Sequence, residues 1–111
     1  MGGTTLGELE QLVLLAVVQV EGEAYAASVR EELARRTARE VARGAVHVTL
    51  DRLEQKGFLR SAAGAASAER GGRPRRVFTI TAAGTRALQD SLDALRAMTR
   101  GLPGRLGWGT T

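Results

Sequence analysis

The stretch REVARGAVHVTLDRLEQKGFLRS, residues 39–61, decides the fold class of this 111-residue chain. Its apolar residues Val46, Leu50 and Leu53 recur at helical spacing and predict a helix from about residue 45 to residue 56. Gly57 is expected to end that helix, because glycine readily adopts the left-handed backbone found after helices. Residues 58–61 are typical of a short strand. A helix followed directly by a strand therefore lies at the centre of the predicted fold.

A second helix is predicted just before this stretch, over residues 24–37. Tyr25, Val29 and Leu33 recur there at four-residue steps, and the charged residues between them are expected to face outward. Residues 41–44 contain a glycine and form a short connection to the next helix. Two helices joined in this way have the helix-turn-helix pattern. Because many small helical bundles share that pattern, it indicates DNA binding only in combination with other features.

A first helix is predicted to begin at a capping box formed by Thr5 and Glu8 and to end before Gly22. Apolar residues cover most of its circumference, which is more than one small domain can bury. A second subunit is one way to cover the surplus. The apolar run 12–18 is too short to span a bilayer, and the segment before it lacks the positive charge of a secretory signal. We therefore expect a cytoplasmic protein that does not enter membranes.

A hairpin and a fourth helix are predicted downstream. Residues 76–80 alternate between apolar and polar side chains, so a second strand is expected there, with residues 62–74 as a long loop. Such a hairpin is the wing of a winged helix. Thr81 is a suitable N-cap for a fourth helix, whose apolar residues form one narrow seam that needs a partner helix. Residues 101–111 are rich in glycine and are expected to form a flexible tail, in which Trp108 has no assigned role.

The predicted fold class is mainly α with a small β-hairpin. A winged helix-turn-helix DNA-binding domain is expected over residues 5–80, a C-terminal dimerisation helix over 81–100 and the tail over 101–111. Known elements of this kind bind DNA through the second helix of the helix-turn-helix, which enters the major groove.

Positive charge is concentrated in the second half of the chain. Residues 57–111 contain nine basic and three acidic side chains, whereas residues 1–56 contain seven basic and nine acidic ones. Four arginines, Arg70, Arg73, Arg75 and Arg76, lie in or beside the hairpin loop. A charged loop is usually only solvated, but an arginine cluster beside a helix-turn-helix and a dimer seam favours contact with DNA phosphates.

Composition excludes several other classes of function. The chain has no cysteine and only one histidine, so a disulfide framework and a structural zinc site are not expected. The carboxylate pairs Glu8 with Glu10 and Glu31 with Glu32 lie on helix faces that do not converge. No glycine-rich phosphate motif followed by lysine is present. We expect neither an enzyme nor a bound cofactor or metal.

The order of these features resembles the PadR family of winged helix-turn-helix transcriptional regulators. The resemblance runs through LGELEQLVLLAVV, EAYAASVREEL, the opening stretch and ERGGRPRRVFTITAAGTRAL, and covers about residues 5–100. It implies a homodimer held by the first and last helices, a third helix in the DNA major groove, and a basic wing near the backbone or minor groove. It also implies a regulator that in most members represses, and in some members releases DNA when a phenolic or drug-like effector binds. Two-fold symmetry then predicts an inverted-repeat operator.

Three positions depart from the family pattern. Ala42 stands where the family usually has Ser, His47 where it has Tyr, and Ala26 where it has Gly. Loss of a hydroxyl cap typically costs about 1 kcal/mol of helix stability, whereas His47 retains an aromatic ring with a polar tip. These departures keep a second function open, namely a winged-helix module that binds proteins or an effector and binds DNA weakly. A site that sandwiches planar drugs is not expected, because the first and fourth helices carry no aromatic side chain.

The candidate site residues fall into two groups. The expected DNA-binding residues lie on the outer face of the third helix and in the wing: Arg43, His47, Val48, Thr49, Arg52, Arg70, Arg73, Arg75 and Arg76. The expected dimer contacts are apolar residues of the first and fourth helices: Leu9, Val13, Leu88, Leu92, Leu95 and Met98. The expected partners are double-stranded DNA and a second copy of the chain, with a small-molecule effector left open.

Overall fold

Five helices and one hairpin follow each other in the computed structural model, which describes residues 6–66 and 74–107. Their bounds are α1 Glu8–Gln19, α2 Ala26–Thr37, α3 Arg43–Gln55, β1 Leu59–Ala66, β2 Pro74–Ile80, α4 Ala82–Thr99 and α5 Leu102–Leu106. The predicted fold class, mainly α with a small β-hairpin, is confirmed. Helix α3 begins slightly earlier than predicted, because the Val46 amide already donates to the Ala42 carbonyl at 3.1 Å.

Helices α1, α2 and α3 pack around one apolar core that fixes the position of α3. The largest fully buried side chains come from these three helices and from β1: Leu14, Leu50, Leu53, Leu59, Val13, Val29 and Val46. Burying one such side chain contributes roughly 1.5–3 kcal/mol. The core therefore holds the inner face of α3 rigidly and determines which of its side chains face solvent.

The hairpin pairs β1 with β2 in antiparallel register, with Leu59 opposite Ile80 and Ser61 opposite Phe78. Strand β1 runs to Ala66, beyond the predicted strand at residues 58–61, because pairing with β2 overrides the low strand preference of its alanines. The Phe78 amide donates to the Ala24 carbonyl at 2.8 Å. This bond ties the wing, defined as the β1–β2 hairpin, to the segment just before α2.

Helix α1 begins at Glu8 and has a different cap from the predicted one. The Gly7 amide donates to Glu10 Oε1 at 2.8 Å, and the predicted cap residue Thr5 lies outside the described residues. Glu10 is only 6% exposed and accepts from Lys56 Nζ at 2.8 Å. Burial raises the pKa of the Glu10 carboxyl, but the bonds from Lys56 and Gly7 outweigh it, so the pKa is lowered overall. This pair joins the start of α1 to the end of α3.

Helix α4 begins against the turn between α3 and β1. The predicted cap is confirmed: the Thr81 hydroxyl accepts from the Gly84 amide at 3.0 Å, and it donates to the Gly57 carbonyl at 2.6 Å. The Thr81 amide donates to the Phe58 carbonyl at 3.0 Å. A Cβ at Gly84 would lie 2.2 Å from that same carbonyl oxygen, so only glycine fits there without displacement. The first turn of α4 is thus fixed relative to the end of α3.

A short helix lies within the segment that was predicted to form a flexible tail. Residues 102–106 form the short helix α5, flanked by Gly101 and Gly107 with left-handed φ angles of 78° and 76°. Trp108 lies outside the described residues.

Candidate nucleic-acid interface

Helix α3 presents a continuous outer face to solvent. The inner stripe of Val46, Leu50 and Leu53 is buried in the core. The exposed residues of the helix include four of the expected DNA-binding residues: Arg43, His47, Val48 and Arg52. Val48 is 54% exposed, so its methyl groups are accessible on this face. The outer face therefore combines cationic, aromatic and apolar side chains of the types that contact base edges in DNA.

Thr49 does not belong to that face, in contrast to the sequence-based expectation. Its residue is 3% exposed, and its hydroxyl donates to the Ala45 carbonyl at 2.7 Å. The position falls three residues after Val46, which places it on the inner side of the helix. A base contact from Thr49 would need the helix to rotate out of its core, so this residue is not part of the candidate interface.

The start of α3 is suited to an anion. Ala42 is the N-cap and provides no side-chain hydrogen bond, and the first turn contains no acidic residue. The amide groups of a helix's first turn have no partner within the helix, and the helix dipole gives that end a partial positive charge. Ala42 thus leaves these amides without a side-chain acceptor, beside the cationic side chain of Arg43.

A groove of about 420 Å³ separates the N-terminal ends of α2 and α3 from strand β2. It is lined by Tyr25, Ala26, Ala27, Arg30, Glu31, Arg43, Val46, His47, Arg75, Arg76 and Phe78. Four arginines and one histidine line it beside a single carboxylate, so its net charge is positive. Of the predicted residues, this groove brings together Arg43 and His47 of α3 with Arg75 and Arg76 of the wing, whereas Val48 and Arg52 lie on α3 outside it.

The aromatic ring of Tyr25 holds one arginine of the groove. The Arg75 guanidinium carbon lies 3.9 Å from the centre of the ring, which is cation–π geometry. The four-residue spacing of α2 suggested that Tyr25 faces inward, but Tyr25 is the half-buried N-cap of that helix. The stacking fixes one face of the Arg75 guanidinium and leaves its N–H groups at the edge, which is where phosphate oxygens bind arginine.

Arg30 is a second groove residue that sequence reasoning missed. It was expected only to face solvent, but its Nε–H donates to the Val41 carbonyl at 2.8 Å and so braces the connection before α3. Because the two residues are 11 positions apart and belong to different segments, the outward spacing of Arg30 on α2 gave no signal of this role.

The remaining wing arginines divide into two cases. Arg76 forms ion pairs with Asp51 and Glu54 on α3, and its guanidinium lies 4.8 Å from the centre of the Phe78 ring. Its guanidinium is half exposed but is already paired with carboxylates of its own chain, which the sequence did not predict. The other predicted contacts, Arg70 and Arg73, lie outside the described residues.

The predicted dimer residues also separate by burial. Val13 and Leu88 are buried in the core of their own chain, and Leu9 and Leu92 pack partly against it. Leu95 and Met98 are 52% and 81% exposed on the second half of α4. Val13 and Leu88 thus cannot form an intermolecular surface without disrupting the core, whereas Leu95 and Met98 leave an exposed apolar surface on the second half of α4.

Membrane spans and metal sites are not found in the described part of the chain. Among residues 6–66 and 74–107, no helix is both long enough and apolar enough to cross a membrane. Within the same residues, no three His, Cys, Asp or Glu side chains gather in a way that could hold a metal ion.

Comparison with protein families gives a match over residues 14–90 to the Transcriptional regulator PadR-like family. This range is more than half of the chain. The chain belongs to the PadR-like family. Like other members, it is a DNA-binding transcriptional regulator and not an enzyme. The match includes α2, α3, the wing and the first half of α4, and hence every described residue of the groove.

Solved structures of PadR-family proteins have the same fold at low sequence identity. A PadR-like regulator from Bacillus cereus is 20% identical with a TM-score of 0.72, covering 88% of this chain and 90% of its own. A PadR-family regulator from Clostridium difficile is 17% identical with a TM-score of 0.72, covering 90% and 99%. One from Eggerthella lenta is 24% identical with a TM-score of 0.69, covering 89% and 86%. No curated protein matches the chain in sequence.

Proposed function

We propose that this PadR-like protein is a sequence-specific repressor that binds an inverted-repeat operator as a homodimer in the cytoplasm. The observation that carries the proposal is the cationic groove, in which Arg30 and Arg43 from two helices face Arg75 from the wing. A groove between the helix-turn-helix and the wing is the place where a DNA backbone strand would lie, with α3 in the adjacent major groove.

The proposal assigns separate tasks to the exposed side chains. His47 and Val48 read base edges, with the Val48 methyl groups suited to a thymine methyl. Arg43, Arg52 and Arg75 hold phosphates, as do Arg70 and Arg73 beyond the described residues. Phosphate contacts fix the register of the protein on the duplex, and base contacts supply its sequence preference.

The homodimer is supported by the apolar surface of α4. Leu95 and Met98 are largely exposed to solvent. The partly buried Leu92 continues the same seam toward the core. A second copy of α4, or the exposed side of a partner's α1, would cover this seam. A two-fold dimer then places two copies of α3 on one face of the duplex, about one helical turn apart.

Fluorescence anisotropy with two duplexes tests the proposal. One duplex comes from upstream of the protein's own gene and the other has the same composition in shuffled order, and both are titrated over a salt series. Removal of one phosphate contact lowers the salt slope by about 0.9. We therefore expect Arg43→Ala and Arg75→Ala to weaken both duplexes and to lower the slope by about that amount each.

Arg86→Ala is the matched control, since it removes the same charge from an exposed position on α4 that does not line the groove. It should leave both affinity and slope close to the parent values. Equal, weak binding of the two duplexes, together with no effect of the groove variants, would instead favour a module that binds proteins or an effector.

A further inference from the structure

A hydrogen-bonded network joins the base of the wing to the outer face of α3. Arg76 on β2 donates from Nη1 to Asp51 Oδ1 at 2.9 Å and from Nη2 to Glu54 Oε1 at 2.5 Å. Its Nε–H donates to Ser61 Oγ at 3.3 Å, and the Ser61 hydroxyl donates to Glu54 Oε2 at 2.7 Å. The network thus involves all three nitrogens of the guanidinium, two residues of α3 and both strands of the hairpin.

Arg76 links strand β2 to helix α3 through its guanidinium. The guanidinium forms a rigid fork, and here its two ends bind two carboxylates about one helical turn apart, which a lysine ammonium could not do in the same way. Hydrogen bonds from Ser61 and Arg76 lower the pKa of the Glu54 carboxyl, because both stabilise its ionised form. The two carboxylates offset the charge of Arg76 and, together with Ser61, occupy three of its five N–H groups, which makes it a weaker phosphate ligand than an unpaired arginine. The neighbouring Arg75, by contrast, stacks on Tyr25 and binds no carboxylate within the described residues.

The two carboxylates lie where they would otherwise affect DNA binding. Asp51 follows His47 by about one turn on the same exposed face of α3. Without a cation beside them, Asp51 and Glu54 would repel the phosphates next to α3. They could also accept hydrogen bonds from cytosine N4 groups and so introduce a base preference of their own.

We propose that Arg76 is a positioning residue that holds the wing against α3 and withdraws Asp51 and Glu54 from the DNA. Base reading is thereby confined to the N-terminal half of α3, where His47 and Val48 lie. The inference rests on the proposed function, since it assumes a duplex lying on the outer face of α3.

The test measures affinity for the preferred upstream duplex and for each of its single-base-pair variants. The proteins are the parent, Arg76→Ala, Arg75→Ala and the triple variant Arg76→Ala/Asp51→Asn/Glu54→Gln. Far-ultraviolet circular dichroism and a urea midpoint for each protein establish that it is folded. Because the substituted residues are all partly or largely exposed, the core is not altered by these changes.

If Arg76 is a positioning residue, Arg76→Ala should change the sequence profile, meaning the relative affinities for the single-base-pair variants. We expect a shift of about fivefold or more in affinity at one or more base pairs. The triple variant should recover the parent's profile, because it also removes the two released carboxylates. Arg75→Ala should weaken every duplex by a similar factor and leave the profile unchanged, as expected for a phosphate contact.

Three results would overturn the inference: a uniform loss with Arg76→Ala that matches Arg75→Ala, no change in binding at all, or an altered profile that persists in the triple variant. If the parent protein fails to distinguish any of the duplexes, the proposed function itself is wrong. That outcome is visible in the parent before any variant is compared.

Discussion

Replacement of Gly84 by alanine tests how α4 is held against the turn between α3 and β1. The added Cβ would lie 2.2 Å from the Phe58 carbonyl oxygen and 2.9 Å from Ile80 Cγ1. A close carbon–oxygen contact in proteins is about 3.3 Å, so the backbone would have to move by roughly 1 Å. The carbonyl cannot yield freely, because it also accepts the Thr81 amide at 3.0 Å.

The expected cost follows from two opposing terms. Overpacking of this kind costs about 1–3 kcal/mol, whereas alanine is favoured over glycine inside a helix by roughly 0.8–1.0 kcal/mol. The steric term is the larger because the obstacle is backbone, so Gly84→Ala should lower the free energy of unfolding by about 1–2 kcal/mol.

Gly44→Ala is the matched control, since it makes the same substitution in a helix where nothing lies within 4 Å of the new Cβ. It should raise the free energy of unfolding by about 0.5–1 kcal/mol. Urea unfolding followed by circular dichroism measures both, at one fixed chain concentration because the stability of a self-associating protein depends on its concentration. If Gly84→Ala is as stable as the parent or more stable, the close contact between α4 and the turn after α3 does not exist.

Three other perturbations have defined outcomes. Because the pKa of Glu10 is lowered, its pairing with Lys56 stabilises the fold above about pH 4.5, the ordinary value for this carboxyl, and is lost as pH falls through the lowered pKa. The urea midpoint of Glu10→Gln should therefore be lower than the parent's at pH 7 and should fall less steeply toward pH 3; parallel curves would contradict this. Leu95→Glu combined with Met98→Glu should convert the dimer to a folded monomer in sedimentation velocity, and an unchanged mass would exclude this seam as the interface. Planar aromatic dyes should bind poorly, because α1 and α4 carry no aromatic side chain to stack on them. Saturable sub-micromolar binding in a fluorescence titration would contradict this prediction.

Local periodicity was sufficient to predict helices α1–α4 and the buried apolar stripe of α3. Val46, Leu50 and Leu53 form a stripe that depends only on the geometry of one helix, and the structure buries all three. The position of Thr49 was available from the same signal, because residues 46, 49, 50 and 53 follow the spacing of one helix face. Thr49 was assigned to the outer face because its side chain is polar. It can nevertheless be buried, because its hydroxyl donates to the Ala45 carbonyl of the same helix.

Contacts between distant segments could not be predicted in this way. Arg76 and Asp51 are 25 residues apart, and nothing in either local pattern shows that the wing folds back onto α3. The stacking of Arg75 on Tyr25 depends on the same packing of the wing. On α1, apolar residues cover most of the helix, so the sequence did not reveal that Val13 faces the core of its own chain. Charge composition predicted that the wing is basic, but not which of its arginines is engaged by carboxylates of the same chain.

Hydroxyl-radical footprinting on the upstream duplex tests whether the protein binds DNA as a two-fold dimer, because it maps where the protein lies along the DNA. A two-fold dimer reading with both copies of α3 should protect two patches on one face of the duplex, with centres about 10 base pairs, or about 34 Å, apart. Flanking protection should weaken in Arg75→Ala, which removes the contact from the wing. A single protected patch, or uniform protection along the duplex, would contradict binding by a two-fold dimer through two copies of α3.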